Sequence, residues 1–390
     1  MSGRSNGLRR WPALILAAAW ALPQAAAEPR SDPPGAPKPA YCLAADWPNL
    51  PEDLELGQAA GLGIDSHDVV YVFHRGERSW VAAPSLVARV RALWAGLFAE
   101  GPEHETERET ARETARETIA QDTILALDPA TGELLASFGA GRFRIPHGLT
   151  LDGDDNIWVT DVGLHQVFKF SRDGALLLTL GEAGRAGDDR THFDGPTDVA
   201  VAADGAIYVT DGYGNARVVK FSPEGAYLMA WGGRGAAPGQ FNLPHGIAID
   251  ARGQLYVADR GNARIQVFDG AGRFLRQIAG PEIGRPWAVD LGPDGTLYAL
   301  DGGDQNAATP RSGLLALTPE GEVLARWSGY GTEPGSLVWP HDLAVSSRSE
   351  VFVGEVLDAN RVQKFKPGCG GWAQRPAPGP SPGPSPGPSR

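Results

Sequence analysis

Cysteine is scarce: the 390-residue chain has only Cys42 and Cys369. No cysteine metal site can be built from that inventory. The two lie near opposite ends of the mature chain, so they either staple the termini in a disulfide or stand as two thiols. Positive charge is also short. Lys and Arg total 35 against 47 Asp and Glu, a net charge of −12. With no basic surplus to neutralise phosphates, a general nucleic-acid binder is excluded. Long apolar runs are missing as well. The one candidate, Trp11 to Leu22, is too short to read as a membrane span. Arg4, Arg9 and Arg10 precede it and Ala25-Ala26-Ala27 follow, so residues 1–27 read as a signal peptide cleaved before Glu28, with an uncleaved anchor as the alternative. The mature chain is expected to have no membrane span and to be exported, periplasmic or extracellular, where disulfides form.

What is abundant is Gly (51) and Pro (32), which points to many turns and few long helices. Residues 28–52 are rich in Pro and Ala and read as a linker. Residues 53–367 carry the globular pattern, and 368–390 form a low-complexity tail expected to be disordered. Within the globular part, 101–120 is a low-complexity insert. Its core, ETERETARETARETIA (105–120), repeats Arg-Glu-Thr every four residues without an apolar face. It reads as a solvated helix or a mobile loop.

The rest is a repeat: Pro-x-x-apolar-x-apolar, a turn with Asp or Gly, then apolar-aromatic-Val-x-Asp. It runs PHGLTLDGDDNIWVTD from 146, PTDVAVAADGAIYVTD from 196 and PHGIAIDARGQLYVAD from 244. PWAVDLGPDGTLYALD from 286 and PHDLAVSSRSEVFVGE from 340 follow, and GLGIDSHDVVYVFH (61–74) is a first copy without the proline. Successive copies after the second lie 42 to 54 residues apart. Period-2 alternation about a Gly or Asp turn is the hairpin signal. A third strand (HQVFKF, ARVVKF, ARIQVF, NRVQKF) and a fourth (LLLTLG, YLMAWG) complete a four-stranded unit. The expected fold is all-β, a six-bladed β-propeller whose repeats resemble the NHL class.

In a propeller the first strand of each blade lines the axis, so equivalent positions form a ring. The residue after the proline is His147, Thr197, His245, Trp287 and His341 in copies two to six, and the first copy places Leu62 near it. Histidine thus takes every second station. Three imidazoles converging at one depth suit a tetrahedral Zn²⁺ with one open position. Just past the second strand, Arg75 and Arg260 are equivalent, with Tyr213 one place further on. The arginines suit a substrate carboxylate or, alternatively, surface acids. A tyrosine beside metal and guanidinium suits a base with lowered pKa. Asp342 follows His341 and offers a carboxylate to a hard cation in the channel, helped by backbone carbonyls. Asp161, Asp211 and Asp259 recur with the repeat and read as turn and cap residues.

At this level of detail the chain resembles the peptidyl-α-hydroxyglycine α-amidating lyase family. The strings that carry the resemblance are FHRG (73–76), DTILALDP (122–129), PHGLTLD (146–152) and WVTDVGLHQVFKF (158–170). HFDGPTDVAV (192–201), DGYGNARVVKF (211–221), PGQFNLPHG (238–246), ADRGNARIQVF (258–268) and PHD (340–342) complete them. The resemblance implies zinc on His147, His245 and His341, with Tyr213, Arg75 and Arg260 as catalytic and substrate-contacting residues. It also implies a structural calcium on Asp342 and the backbone carbonyls of Leu62 and Leu149. The implied reaction splits a peptidyl- or N-acyl-α-hydroxyglycine, a carbinolamide, into an amide and glyoxylate, after a separate hydroxylating enzyme has made the substrate.

Three departures stand out. Asp194 with Gly214, and Tyr256 with Val267, occupy the places of two disulfides found in animal members. Trp339 replaces a methionine, putting a larger ring at the substrate mouth. No hydroxylating domain is recognised beside the propeller, and a monomer is expected. Two other functions compete with the lyase. One is a non-enzymatic NHL propeller that binds a protein or glycan around a structural metal. The other is a calcium-dependent hydrolase or lactonase, against which the three histidines count, because such sites use carboxylates and Asn.

Overall fold

The computed structural model describes residues 41–78, 117–357 and 359–368. The expected signal peptide, most of the 101–120 insert, Cys369 and the tail beyond Gly368 lie outside the described residues. Those described form twenty-four strands and one 3₁₀ turn, Arg260–Asn262. No helix among them is long and apolar enough to cross a membrane.

The strands make six four-stranded antiparallel sheets. Blade one is β2 (Ala59–Ile64), β3 (Val70–His74), β4 (Ile124–Leu127) and β5 (Leu134–Phe138); blade two is β6 (Pro146–Leu151), β7 (Ile157–Asp161), β8 (Gln166–Phe170) and β9 (Leu176–Leu180). Blade three is β10 (Pro196–Val201), β11 (Ile207–Asp211), β12 (Arg217–Phe221) and β13 (Tyr227–Gly232). Blade four is β14 (Pro244–Ile249), β15 (Leu255–Asp259), β16 (Arg264–Phe268) and β17 (Phe274–Ala279). Blade five is β18 (Pro286–Leu291), β19 (Leu297–Asp301), β20 (Gly313–Leu317) and β21 (Val323–Trp327). The sixth contains β22 (Pro340–Val345), β23 (Val351–Glu355) and β24 (Arg361–Pro367), and its outer strand is β1 (Tyr41–Leu43), paired with β24.

That last pairing corrects the expected 28–52 linker over its described part, residues 41–52; residues 28–40 lie outside the described residues. Residues 41–43 close the ring, with Tyr41 stacked on Trp327 at 4.1 Å in the joint between blades five and six. Trp47 packs against Phe352, in the joint between the last blade and the first. Cys42, on this closing strand, is disulfide-bonded. The chain's only other cysteine is Cys369.

Every second strand is buried along its whole length, because both faces pack on neighbouring blades. The core is therefore six interblade clusters rather than one centre; one joins Tyr256 and Val267 of blade four to Leu297 and Leu315 of blade five. Tyr256 and Val267 sit directly opposite each other, and Gly214 N–H donates to Asp194 O at 2.7 Å. The sites of both missing bridges are thus close pairs without sulfur.

Two devices set the position of the axial residues. First, every inner strand has a β-bulge at its start, for example between Pro146 and Leu149 or Pro340 and Asp342. A bulge re-aims the side chain it carries. Second, the last residue of the second strand anchors the segment that leads into the bulge. Asp161, Asp211, Asp259, Asp301 and Glu355 are fully buried. They accept backbone N–H bonds from Ile145, Asp194, Asn242, Arg285 and Val338 respectively. Those carboxylates hold blade geometry, as expected of Asp161, Asp211 and Asp259. In blade one His74 has this place, its Nδ1 accepting from Gly57 and Gly76 N–H at 3.2 Å.

Candidate active site and metal centre

The six stations of the axial ring are Ala60, His147, Thr197, His245, Trp287 and His341. Ala60 replaces Leu62 in the expected set, because the blade-one bulge falls between Ala59 and Gly61 and leaves Leu62 two residues further on. The alternation of histidines has a local cause. His147 Nδ1 bonds Thr197 O at 2.7 Å, His245 Nδ1 bonds Trp287 O at 2.8 Å, and His341 Nδ1 bonds Ala60 O at 2.7 Å. Each histidine leans on the main chain of the next, non-histidine station. A carbonyl only accepts, so Nδ1 carries the proton and the Nε2 lone pair is left for the axis.

The three rings lie edge to face with centroids 4.5, 4.7 and 4.9 Å apart, and one nitrogen from each falls within 4.8 Å of the others. All three are buried. Burial pushes their pKa values well below the usual imidazole range, and the nearby Arg75 and Arg260 push further. Three neutral imidazoles with converging lone pairs are a metal-binding donor set. Glycine after the histidine is steric. A Cβ on Gly148 would collide with Thr197 O, and one on Gly246 would lie 2.8 Å from Ala288 Cα.

Tyr213 stands over this triad. Its hydroxyl is 3.0 Å from His147 Nε2 and 3.4 Å from His245 Nε2. With Nδ1 protonated, the phenol donates to Nε2. Arg260, following β15, hydrogen-bonds the Tyr213 oxygen, and its guanidinium carbon lies over Trp287, 3.3 Å from the ring centroid. Arg75, following β3, is buried; its Nε donates to Pro146 O at 2.9 Å and its Nη1 to Gln58 Oε1 at 2.6 Å. Burial lowers its pKa to about 10, still charged at neutral pH. The expectation of a lowered Tyr213 pKa concerned a tyrosine beside a bound metal as well as guanidinium groups. Burial raises it by more than Arg260 and Arg75 pull it down. Trp339, half-buried with φ 48°, sets its ring edge-on to Trp287 at 6.2 Å.

Below the triad the channel holds a cavity of about 260 Å³, lined in part by Leu62, Leu149, Asp198, Asp290 and Asp342. Asp342 accepts N–H bonds from Leu343 and Leu62 at 2.9 and 2.8 Å, a link between the last blade and the first. Asp198 bridges Val199 and Ile247 in the same way, and Asp290 bridges Leu291 and Val345. Burial raises Asp198 to about 7 and Asp290 to about 6. Asp342 is raised well above the carboxylate range by burial and then by Asp198. Asp290 was missed in the sequence, although it lies four residues after Pro286 on an axial strand. Trp287 holds a ring station in the sequence, but nothing in its local pattern signals a role.

A family model described as NHL repeat matches residues 143–170, 193–221 and 241–268. The chain is 39% identical over 338 residues to peptidyl-glycine alpha-amidating monooxygenase B of Xenopus laevis, covering 83% of this chain and 35% of that protein. It thus spans about a third of that relative's length. It is 30% identical over 349 residues to peptidyl-alpha-hydroxyglycine alpha-amidating lyase 2 of Drosophila melanogaster, covering 85% of this chain and 77% of that protein. Among solved structures, a putative gluconolactonase superposes with a TM-score of 0.51 at 14% identity, covering 86% of this chain and 93% of the other. At that identity it shows the fold alone.

Proposed function

Because this chain belongs to the peptidyl-α-hydroxyglycine α-amidating lyase family, we propose that it cleaves the C–N bond of a peptidyl- or N-acyl-α-hydroxyglycine, releasing an amide and glyoxylate. The observation that carries this is the convergence of three neutral imidazoles, one tyrosine and two arginines. With a cation on the histidines such a site is strongly positive. It favours a ligand that brings one carboxylate and develops a second negative charge on the neighbouring hydroxyl oxygen.

His147, His245 and His341 would hold zinc, whose nitrogen preference and open position fit the donor set. When bound it supplies Lewis acidity, easing proton loss from a hydroxyl group. Arg75 and Arg260 receive the substrate carboxylate and fix the α-carbon beneath Tyr213. With zinc on the histidine nitrogens and the Arg75 and Arg260 guanidinium groups alongside, Tyr213 would stand as the phenolate, and in that form it takes the hydroxyl proton. The O–H electron pair then forms the aldehyde C=O as the C–N pair leaves with the amide nitrogen, and Tyr213 returns the proton to that nitrogen. No oxidant or nucleophile is consumed. Trp339 borders the acyl side of the substrate.

Asp342, with the Leu62 and Leu149 carbonyls, would hold a structural calcium at the head of the channel. Their neighbours fit that role, since a cation relieves the mutual repulsion of Asp342 and Asp198. The substrate implies a separate enzyme that hydroxylates a C-terminal glycine α-carbon. Export to the periplasm or extracellular space, as a monomer, completes the proposal.

The test is glyoxylate release from an N-acyl-α-hydroxyglycine by the purified protein, with chelator, with zinc restored, and with His245→Ala. Activity is expected only in the zinc-restored wild type. A zinc-loaded wild type that releases no glyoxylate refutes the lyase.

A further inference from the structure

We propose that Trp287 is a positioning residue for Arg260: its indole face holds the guanidinium toward Tyr213 and the substrate carboxylate. The inference rests on the role given above to Arg260 as a carboxylate-binding residue. Tyr213 attracts Arg260 by charge and hydrogen bonding, and the exposed carboxylate of Asp304 attracts it by charge. The pull of Tyr213 is the larger and Arg285 repels, but none of these forces fixes the plane of the guanidinium. The stack does, because the guanidinium carbon lies over the indole only 3.3 Å from its centroid, a distance at which two planar groups fit only face to face. A planar fork must be fixed in that way to present two N–H groups to one carboxylate.

Trp287 is itself built in from every side. It is the second residue of β18, is buried, and donates its indole N–H to Gly303 O at 3.2 Å. Gly302 backs onto the ring so closely that a Cβ there would lie 2.5 Å from it. The edge of Trp339 packs on it, and the His245 and His341 rings lie 5.8 and 6.1 Å away.

The fifth station leaves this side chain available for such work. Stations one, three and five serve the triad only through their carbonyls, so their side chains are not needed for metal binding. Ala60 has almost none, and Thr197 uses its hydroxyl on Thr210 and Pro244 within the scaffold. Trp287 alone among them reaches an arginine of the site. One residue therefore ties His245 through its main chain and Arg260 through its side chain. Changing the indole leaves the carbonyl for His245 in place.

The experiment uses the full-length zinc-loaded protein and two readouts. Equilibrium binding of glyoxylate, the carboxylate product, is measured by calorimetry for wild type, Trp287→Leu, Trp287→Phe, Arg260→Lys and the Trp287→Leu/Arg260→Lys pair. Turnover of the N-acyl-α-hydroxyglycine is followed in parallel. Trp287→Leu is expected to weaken glyoxylate about 3- to 30-fold and to raise KM more than it lowers kcat. Trp287→Phe should restore most of the loss, and the double variant should bind no worse than Arg260→Lys alone. If Trp287→Leu loses zinc or its fold, Trp287→Met, which keeps apolar bulk without a π face, is judged by the same criteria. Glyoxylate binding unchanged in the aliphatic variant, or losses that simply add in the double variant, would overturn the proposal. Failure of the wild type to turn over substrate while these binding differences persist would instead count against the lyase function.

Discussion

Replacing Asp259 by alanine tests whether buried second-strand carboxylates hold both the blades and the metal ligands. Asp259 is fully buried at the end of β15. It accepts from Asn242 N–H, Asn262 Nδ2 and Arg264 Nε, each at 2.8 Å, and from Gln266 Nε2 at 3.1 Å. The Arg264 side chain is only 7% exposed. Removing the carboxylate therefore leaves a buried guanidinium without its counter-charge, though still hydrogen-bonded to Gln277, Ala237 and Gln240, at a cost of about 3–5 kcal/mol. For a domain of this size that is a fall in melting temperature of roughly 6–10 °C. The exposed pair Arg273–Asp269 is the control, its arginine 81% exposed. Asp269→Ala gives up that ion pair and the turn N–H bonds from Ala271 and Arg273, near enough to the surface for water to replace them, and should cost about 1 kcal/mol. The comparison is made by urea and thermal denaturation followed by circular dichroism. A second effect is expected on the site, since Asn242 begins the segment that delivers Pro244 and His245. Asp259→Ala should lower metal affinity in competition with a chromogenic chelator. Equal losses from Asp259→Ala and Asp269→Ala, or a metal affinity untouched by Asp259→Ala, would refute the reasoning.

Two further outcomes are expected. His74 is an N–H acceptor, and burial lowers its pKa to about 4. Below pH 6.5 the unfolded chain binds a proton that the folded chain refuses, so this contribution is intact above 6.5. It shrinks as pH falls toward 4, by roughly 3 kcal/mol at most. His74→Asn, which retains an acceptor oxygen, should flatten that part of the stability profile in urea titrations at pH 7 and pH 5, and an unchanged slope would count against it. Tyr213→Phe should retain the metal and lower kcat about 10²- to 10⁴-fold. A kcat within a factor of a few of the wild type would remove Tyr213 from the proton transfer.

Much of this was legible in the chain because the fold is a repeat. Once the Pro-x-x unit is aligned, equivalent residues of different blades must share a depth on the axis, and the three histidines fall on alternate stations. Arg75, Arg260 and Tyr213 follow by the same register, all just after a second strand. The alignment slipped in the first copy. Without a proline to mark the bulge, Leu62 looked axial, and the extra residue that puts Ala60 there shows only in the pairing of β2 with β3. Asp290 escaped notice because a carboxylate in an apolar alternation looks like a solvent-facing residue until the strand is known to face a channel.

The sequence by itself determined the class of fold, the number of blades and the identity of the groups around the axis. All three are properties of local periodicity, repeated with enough copies to average out local irregularity. Tertiary structure alone decided how those groups work. The blade that closes the ring borrows Tyr41–Leu43 from the far end of the chain, a pairing no local pattern encodes. The tautomer of each histidine is set by a carbonyl on the neighbouring blade. Packing buries Tyr213 beside two arginines, whose charge opposes the rise that burial imposes on its pKa. Arg260 has its orientation because Trp287, in the next blade, lies beneath it. Each of these is a contact between separate sheets, and it exists only after the blades have closed around their common axis.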